Sequence, residues 1–283
     1  MSIKDKLDYI LNNYEVSIGR KDQYLFLDIK YPKILDLKFL TGIHFPIMSS
    51  LYYVSPNSDN SISGLSQLQM PKLKSLHIDL KEISTEELSN IRFPSLKKLV
   101  LTGCLLGDLN LNLSKLTYLK IVNTVSIDLG FLNRCYLPKL KKIVVLSSPK
   151  NEILGFYNVD WGRFPNIREM CFSIPHGSNL ILSNRLPTSL EVLKCVNAGI
   201  VLEDRLTLPN LEMLCLDISA IQKLDKLNLP NIHTVEIYNS LSQSLSLESI
   251  TRMVRYKLCK PHIIVGYYEN YREIQSKKES NHA

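Results

Sequence analysis

Apolar and polar residues recur along the chain in the pattern L-x-x-L-x-L, whose last two apolar residues alternate with polar ones. Alternation of this kind is typical of a short β-strand with one buried face. The first apolar residue of each pattern serves as its anchor, and the ten anchors are Ile34, Met48, Leu73, Leu96, Leu116, Leu140, Ile167, Leu190, Leu211 and Ile232. From Leu73 onward, successive anchors lie 20 to 27 residues apart. The sequence therefore predicts a series of short parallel strands, each burying its apolar edge against its neighbours.

Proline precedes nearly every pattern, as in "FPSLKKLVL" (93–101) and "LPNLEMLCL" (208–216). It lies two places before eight of the ten anchors, although the whole chain has only 13 prolines. Because proline fixes φ and lacks an N–H, we expect it at the first residue of each strand. It also favours an extended conformation in the residue before it. The Phe or Leu at that position is therefore predicted to turn into the core.

These proline-led repeats resemble the leucine-rich repeat superfamily over residues 31–240, and they are most similar to the repeat regions of fungal and plant F-box/LRR proteins. The resemblance implies an α/β-type, strand-rich horseshoe of about ten irregular repeats with a parallel concave sheet. For the F-box/LRR proteins it also implies substrate recognition for a ubiquitin ligase. An F-box needs a three-helix module, and none can be recognised in this sequence.

The segments outside the repeats are predicted to cap the solenoid, because its end repeats would otherwise expose core. Residues 1–30 form the predicted N-terminal cap, with a helix in "KDKLDYILNN" and a strand in "YLFLDI". Residues 241–268 form the predicted C-terminal cap, with a helix in "LESITRMVRYKL" and a strand in "HIIVGYY". The polar residues 269–283 are expected to be mobile. Between the strands, "STEELSNI" (84–91) is the clearest predicted helix.

Composition places the 283-residue chain among ordinary globular proteins, with 45% hydrophobic and 22% charged residues. Its six cysteines are spread singly, without a CxxC pair or a Cys/His cluster. That spacing argues against a disulfide framework and a metal site, and favours a cytoplasmic or nuclear location. We expect neither a secretory signal nor insertion into a membrane. The sequence also lacks the common nucleotide-binding and hydrolase motifs, so we expect no enzymatic activity and no small-molecule cofactor.

The residues two, four and six places after each anchor are predicted to face the concave side of the sheet. The middle of that face is apolar for a solvated surface, and a large exposed apolar patch generally marks a partner site. Two alternatives are that β-branched residues simply suit parallel strands, and that the C-terminal tail covers the face. The predicted partner-binding residues are Lys98, Val100, Tyr118, Lys120, Val122, Lys142, Val144, Leu146, Cys171, Met213 and Cys215.

A basic ridge is predicted where the strands of the third to seventh repeats begin, whereas later repeats carry Glu191, Glu212, Asp217 and Glu236. Such a ridge suits phosphate groups or an acidic protein. Alternatively, its lysines only keep a parallel solenoid soluble. The ridge residues are Lys72, Lys74, Lys97, Lys115, Lys139, Lys141 and Arg168.

Two smaller features leave alternatives. Trp161, the only tryptophan, is either an anchor for a partner at the rim or a side chain packed over the edge of a coil. Cys171 and Cys215 are predicted on the same face two strands apart, which is about 9 to 10 Å and too far for a disulfide.

The sequence thus predicts a protein-recognition scaffold or adaptor, without enzymatic activity, that binds a protein partner on its concave face. The alternative is binding of nucleic acid or another phosphate surface through the basic ridge, for which the formal net charge of +7 gives moderate support. Salt dependence separates the two, because phosphate binding weakens steeply between low and physiological salt.

Overall fold

A computed structural model gives the structure of the protein. The residues that it describes are 15–19, 24–28, 37–55, 62–80, 85–103, 106–122, 127–147, 153–154, 158–173, 179–183, 185–196, 199–202, 205–239, 254 and 262–267. The chain forms two compact units, Met1–Ile167 and Arg168–Ala283.

The first unit is built mainly of β-strands. Within its described residues these are β1 (Glu15–Gly19), β2 (Tyr24–Asp28), β3 (Ser50–Ser55), β4 (Ser75–Leu80), β5 (Lys98–Thr102), β6 (Tyr118–Val122), β7 (Ile127–Asp128), β8 (Lys142–Leu146) and β9 (Ile153–Leu154). Seven of them lie side by side in the order β1-β2-β3-β4-β5-β6-β8. All neighbours in this order are parallel except β1 and β2, which are antiparallel. β7 and β9 form a separate parallel pair.

The second unit is also strand-rich. Its described strands are β10 (Glu169–Ser173), β11 (Asn179–Leu182), β12 (Val192–Val196), β13 (Gly199–Leu202), β14 (Leu206–Thr207), β15 (Met213–Asp217), β16 (Leu227–Asn228), β17 (Thr234–Asn239) and β18 (His262–Tyr267). Five of them lie in parallel in the order β10-β12-β15-β17-β18. β11 pairs with β13, and β14 pairs with β16, again in parallel.

Helices are few and short in the part of the chain that the structure describes. The α-helix α1 (Thr85–Ser89) lies inside the segment 84–91, where a helix was predicted. Segments of 3₁₀ helix occur at Leu37–Leu40, Leu65–Gln67, Leu129–Arg134, Trp161–Arg163 and Ile218–Lys226. No helix among the described residues is long and apolar enough to cross a membrane.

Several predicted terminal elements lie outside the described residues. They are the helix in "KDKLDYILNN", the helix in "LESITRMVRYKL" apart from Val254, and the polar tail 269–283. The two predicted terminal strands are described and are confirmed as β2 and β18.

The pairing register agrees with the positions predicted from the anchors. In the first unit Ser75 lies opposite Lys98, Lys98 opposite Tyr118, and Tyr118 opposite Lys142, all two places after an anchor. In the second unit the equivalent row is Glu169, Val192, Met213 and Thr234. The cause is the period of two along a strand, because any slip by one residue would move the apolar side chains out of the core.

The core lies behind these strands, as the alternation predicts. Leu76 and Ile78 on β4, and Leu119 and Ile121 on β6, have no measurable solvent exposure. The apolar residue before the proline is buried in most of the described patterns, as Phe93 and Phe164 illustrate, whereas Phe45 is half-buried. Burial of this many aliphatic and aromatic side chains is the main stabilising contribution to the fold.

The prolines occupy turns rather than the first residues of strands, which corrects the prediction. In "FPSL" the N–H of Leu96 donates to the carbonyl of Phe93 at 3.1 Å, and the corresponding bond from Leu140 to Leu137 is also 3.1 Å. A bond from the fourth residue to the first defines a β-turn with proline in its second position, where its fixed φ is favourable. The strand begins only two residues after the anchor, at Lys98 and Lys142.

The first predicted repeat is not found as expected. The strand beside β3 is β2, with Tyr24 opposite Ser50, and not a strand at the anchor Ile34. Residues 29–36 lie outside the described part of the chain, and a 3₁₀ turn follows at Leu37–Leu40. Alternating apolar residues in "YLFLD" allow this segment of the predicted cap to extend the parallel sheet.

Candidate functional site

The sheet of the first unit brings a tyrosine and two lysines together on one face. Because Lys98, Tyr118 and Lys142 lie opposite one another on β5, β6 and β8, their side chains leave the sheet side by side. The Lys98 Nζ atom is 5.4 Å from the centre of the Tyr118 ring, and the Lys142 Nζ atom is 6.0 Å from it. At these distances the negative face of the ring attracts both ammonium groups. We call these three residues the Tyr118 cluster.

The neighbouring row on the same face is more buried than predicted. Val100, Lys120 and Val144 lie opposite one another, but Val100 is only 6% exposed and Val144 only 4%. Strands about 4.8 Å apart bring the stem of a lysine against the short valines on either side of it. The expected large exposed apolar strip is therefore wrong at these two positions, whereas Val122 and Leu146 are half-buried.

The predicted lysines of the basic ridge in the first unit are all exposed. They lie in or next to the proline turns, where the carbonyl of Lys74 accepts hydrogen bonds from the N–H groups of Lys97 and Lys98 at 2.8 and 2.9 Å. These bonds stack the turns of successive patterns. None of the following lysines forms an ion pair within the described part of the chain: Lys72, Lys74, Lys97, Lys98, Lys115, Lys139 and Lys141.

Arg168, also predicted for the ridge, belongs to the second unit and differs from the lysines. Its guanidinium donates to the carboxylate of Glu191, with which it forms an ion pair. The next residues in that row are Glu212 and His233. The backbone N–H of His233 donates to the Glu212 carbonyl at 2.8 Å. The row at the start of the second-unit strands is therefore of mixed charge, and Arg168 is its one arginine or lysine.

The face of the second-unit sheet carries a half-buried polar group beside two cysteines. Lys194 lies between Cys171 and Cys215, and its Nζ atom is 3.6 Å from Glu236 Oε2. The same carboxylate oxygen accepts a hydrogen bond from the Tyr238 hydroxyl at 3.2 Å. Cys171 and Cys215 are buried, so these two predicted partner-binding residues do not offer exposed surface, whereas Met213 is half-buried.

Cys135, Cys195 and Cys215 are poor nucleophiles. Burial raises the pKa of the Cys195 thiol and, to about 11, that of Cys135. Burial also raises the pKa of Cys215, and the negative charge of Glu236 raises it further. The pKa of Tyr238 is raised by burial first and then by Cys215 and Glu236. Because the thiolate is the reactive form, these groups do not suit covalent catalysis at neutral pH.

Slow alkylation of these thiols is therefore expected. At about pH 8, near the usual thiol pKa, iodoacetamide should modify Cys135, Cys195 and Cys215 at least about 100 times more slowly in the native protein than in the unfolded chain. Peptide mapping after timed labelling measures each site. Labelling of Cys215 in the native protein at a rate near that in the unfolded chain would contradict the burial of this thiol.

The raised pKa of Cys135 also makes stability depend on pH. Its contribution to the free energy of unfolding is fully present below about pH 9 and is lost as the pH rises through about 11.

Trp161 is a packed side chain, and the alternative of an exposed anchor is wrong. Only 2% of it is exposed, and its ring lies 6.2 Å from that of Phe164, between centres, at a tilt of 60°. The Asp160 side chain caps the local 3₁₀ turn by accepting from the Gly162 N–H at 3.2 Å. Trp161 therefore belongs to the core.

Sequence reasoning missed a row of asparagine amides at the turns. Each amide donates to a carbonyl of the preceding turn and so satisfies a group that no strand pairs. The only signal is an Asn directly after the proline in "FPN" and "LPN". The bonds run from Asn166 to Pro138 at 2.7 Å, from Asn210 to Thr188 at 2.8 Å and from Asn231 to Pro209 at 2.7 Å.

Comparisons with family models, with curated proteins and with solved structures find no match to this chain. Within the described residues, no group of three or more His, Cys, Asp or Glu side chains is placed to hold a metal ion. The Tyr118 cluster and the exposed lysines beside it place positive charge and an aromatic ring on one face of the first-unit sheet.

Proposed function

We propose that the chain is a recognition scaffold without enzymatic activity, of the leucine-rich repeat type, that binds a protein partner on the sheet face of its first unit. The observation that carries the proposal is the Tyr118 cluster, in which two ammonium groups lie near one ring on a parallel sheet. Aromatic residues fixed by neighbours lose little entropy on binding and are frequent in the energetic centres of interfaces.

The proposal differs from the sequence prediction in the kind of contact that dominates. Since Val100, Val144, Cys171 and Cys215 are buried, an apolar grip by the middle of the sheet is not favoured. The exposed lysines give specificity and a fast approach of an oppositely charged partner, and Tyr118 gives contact area. Substrate recognition for a ubiquitin ligase is the particular form that the F-box/LRR resemblance implies.

The test is the recovery of a protein partner by the full chain and by a charge-reversed variant. Lys98→Glu/Lys142→Glu should lower the affinity for the recovered partner by about tenfold or more, because it turns attraction into repulsion at the centre of the proposed interface. Arg185→Glu/Lys226→Glu changes the net charge equally at exposed positions of the second unit, so it should leave the affinity within about twofold.

The experiment uses nuclease-treated extract of the natural host, followed by titration of the purified partner against each variant. Ligase subunits among the partners would support the F-box/LRR form of the proposal. Equal losses in both variants would mean that net charge alone matters, and unchanged affinity in both would move the interface away from the Tyr118 cluster. Circular dichroism confirms that both variants retain the fold.

The basic ridge supports a second candidate function, which is binding of nucleic acid or another phosphate surface. Its specific observation is the set of exposed lysines that form no ion pair among the described residues. In that case affinity should fall by orders of magnitude between about 0.05 and 0.2 M salt. Recovery of partners that depends on intact nucleic acid would favour this candidate.

A further inference from the structure

We propose that the partner segment is an acidic polypeptide in an extended, polyproline II-like conformation, which crosses β5, β6 and β8 with acidic residues three apart. This inference rests on the proposed function and names the chemistry of its partner. One carboxylate lies at Lys98 and the next at Lys142, and the two residues between them span β6, the strand between the two lysines.

The spacing of the two lysines selects this conformation. Lys98 and Lys142 lie on strands separated by one other strand, so their Cα atoms are about 9.6 Å apart. A polyproline II helix rises about 3.1 Å per residue, which puts residues three apart at about 9.3 Å along its axis. Acidic side chains in the series acid-x-x-acid therefore meet the two ammonium groups in step.

The charge around the Tyr118 cluster selects an acidic partner. Three further exposed lysines lie next to the cluster, each directly after the anchor of its pattern. They are Lys74, Lys97 and Lys141. Lys97 and Lys141 directly precede the lysines of the cluster in the chain. Lys74, Lys97 and Lys141 have no ion pair within the described residues, so an acidic segment can contact these three ammonium groups without displacing a carboxylate. A longer acidic segment gains further contacts along the ridge.

The Tyr118 ring argues for a polypeptide over single-stranded nucleic acid. Proteins that bind single-stranded nucleic acid stack successive bases on open aromatic faces. In this protein, two ammonium groups already lie within 6.0 Å of the centre of the Tyr118 ring. A stacking base would have to displace one of them. The surface also uses lysine throughout, without the planar arginine forks that bind phosphate with two parallel hydrogen bonds.

Fluorescence anisotropy with synthetic probes tests the inference on the full chain. The first probe is a labelled peptide of four Glu-Pro-Leu units, about 37 Å long as a polyproline II helix. The second has the same residues with glutamate at every second position from its start, so that no two acids lie three apart. The third is an oligothymidylate with four phosphodiesters, which matches the peptides in charge.

The first peptide is expected to bind at least about fivefold more tightly than the second, and more tightly than the oligothymidylate. Lys98→Glu/Lys142→Glu should weaken its binding by about tenfold or more, whereas Lys98→Arg/Lys142→Arg should preserve it because the positive charges and their attraction to the Tyr118 ring remain. Arg185→Glu/Lys226→Glu is the control of equal charge and should change the affinity by less than about twofold.

Equal binding of the two peptides would overturn the inference, since the surface would then respond only to total negative charge. Tighter binding of the oligothymidylate would overturn it in favour of phosphate recognition. Absence of peptide binding, while the protein partner from the host still depends on Lys98 and Lys142, would overturn the inference and leave the proposed function standing. Peptide binding without any such dependence of the host partner would contradict the proposed function instead.

Discussion

Replacement of Trp161 by alanine is expected to lower the free energy of unfolding by about 3–5 kcal/mol. The side chain is 2% exposed and packs against Phe164, so its removal takes a large apolar surface out of the core and leaves a cavity. The loss should appear as a lower urea midpoint of the far-UV circular dichroism signal. The nearby backbone bond from the Phe164 N–H to the Trp161 carbonyl, 3.0 Å long, remains available in the variant.

Trp161→Phe is the matched control for this change. It keeps an aromatic ring next to Phe164 and removes less volume, so we expect a loss clearly below that of the alanine variant. A loss below about 1 kcal/mol for Trp161→Ala would show that the site tolerates a cavity or that the ring is exposed in solution. Of these two causes, only an exposed ring would restore the interpretation of Trp161 as a rim residue, and the fluorescence emission maximum of this single tryptophan separates them.

The second large effect is expected at Gly64, which we predict cannot accept a side chain. Its φ is +85°, and a Cβ atom built there would lie 2.8 Å from the Lys38 Cα atom and 2.9 Å from the Lys38 backbone nitrogen. Its N–H also donates to Glu87 Oε1 at 3.2 Å, so a shift of the loop disturbs a second contact. Gly64→Ala should therefore cost about 2–4 kcal/mol, the left-handed conformation and the clash together.

Gly42 provides a control that separates the two causes. It has nearly the same φ, +81°, but a Cβ atom added there would meet nothing within 4 Å. Gly42→Ala should cost only about 1–2 kcal/mol for the backbone conformation. Equal losses in the two variants, measured by urea unfolding, would mean that the approach of Lys38 to Gly64 is not close in solution.

The order and register of the strands were predictable because they depend on local pattern. A period of two sets which residues face the core, and the spacing of the anchors sets which strands become neighbours. For this reason the sequence placed Lys98, Tyr118 and Lys142 side by side, and the pairing confirms that they are opposite one another. The resemblance to leucine-rich repeats, the caps and the recognition role stay predictions.

The features that sequence reasoning missed depend on contacts between distant residues. The burial of Val100 and Val144 is set by side chains on neighbouring strands, which the residue's own pattern does not reveal. The place of β2 beside β3 likewise reflects a pairing of segments that the anchors did not connect. The asparagine bonds between turns needed the positions of carbonyls about 20 residues away in sequence.

The most direct test of the central claim is the protection of individual lysines in the complex. The purified protein partner is mixed with the full chain, amine-reactive label is added briefly, and peptide mapping gives the labelling rate of each lysine. The account predicts that Lys74 and Lys98 are labelled several times more slowly in the complex than alone, whereas Lys226 in the second unit is unchanged. Protection of Lys226 with unchanged labelling of Lys98 would contradict recognition by the first-unit sheet.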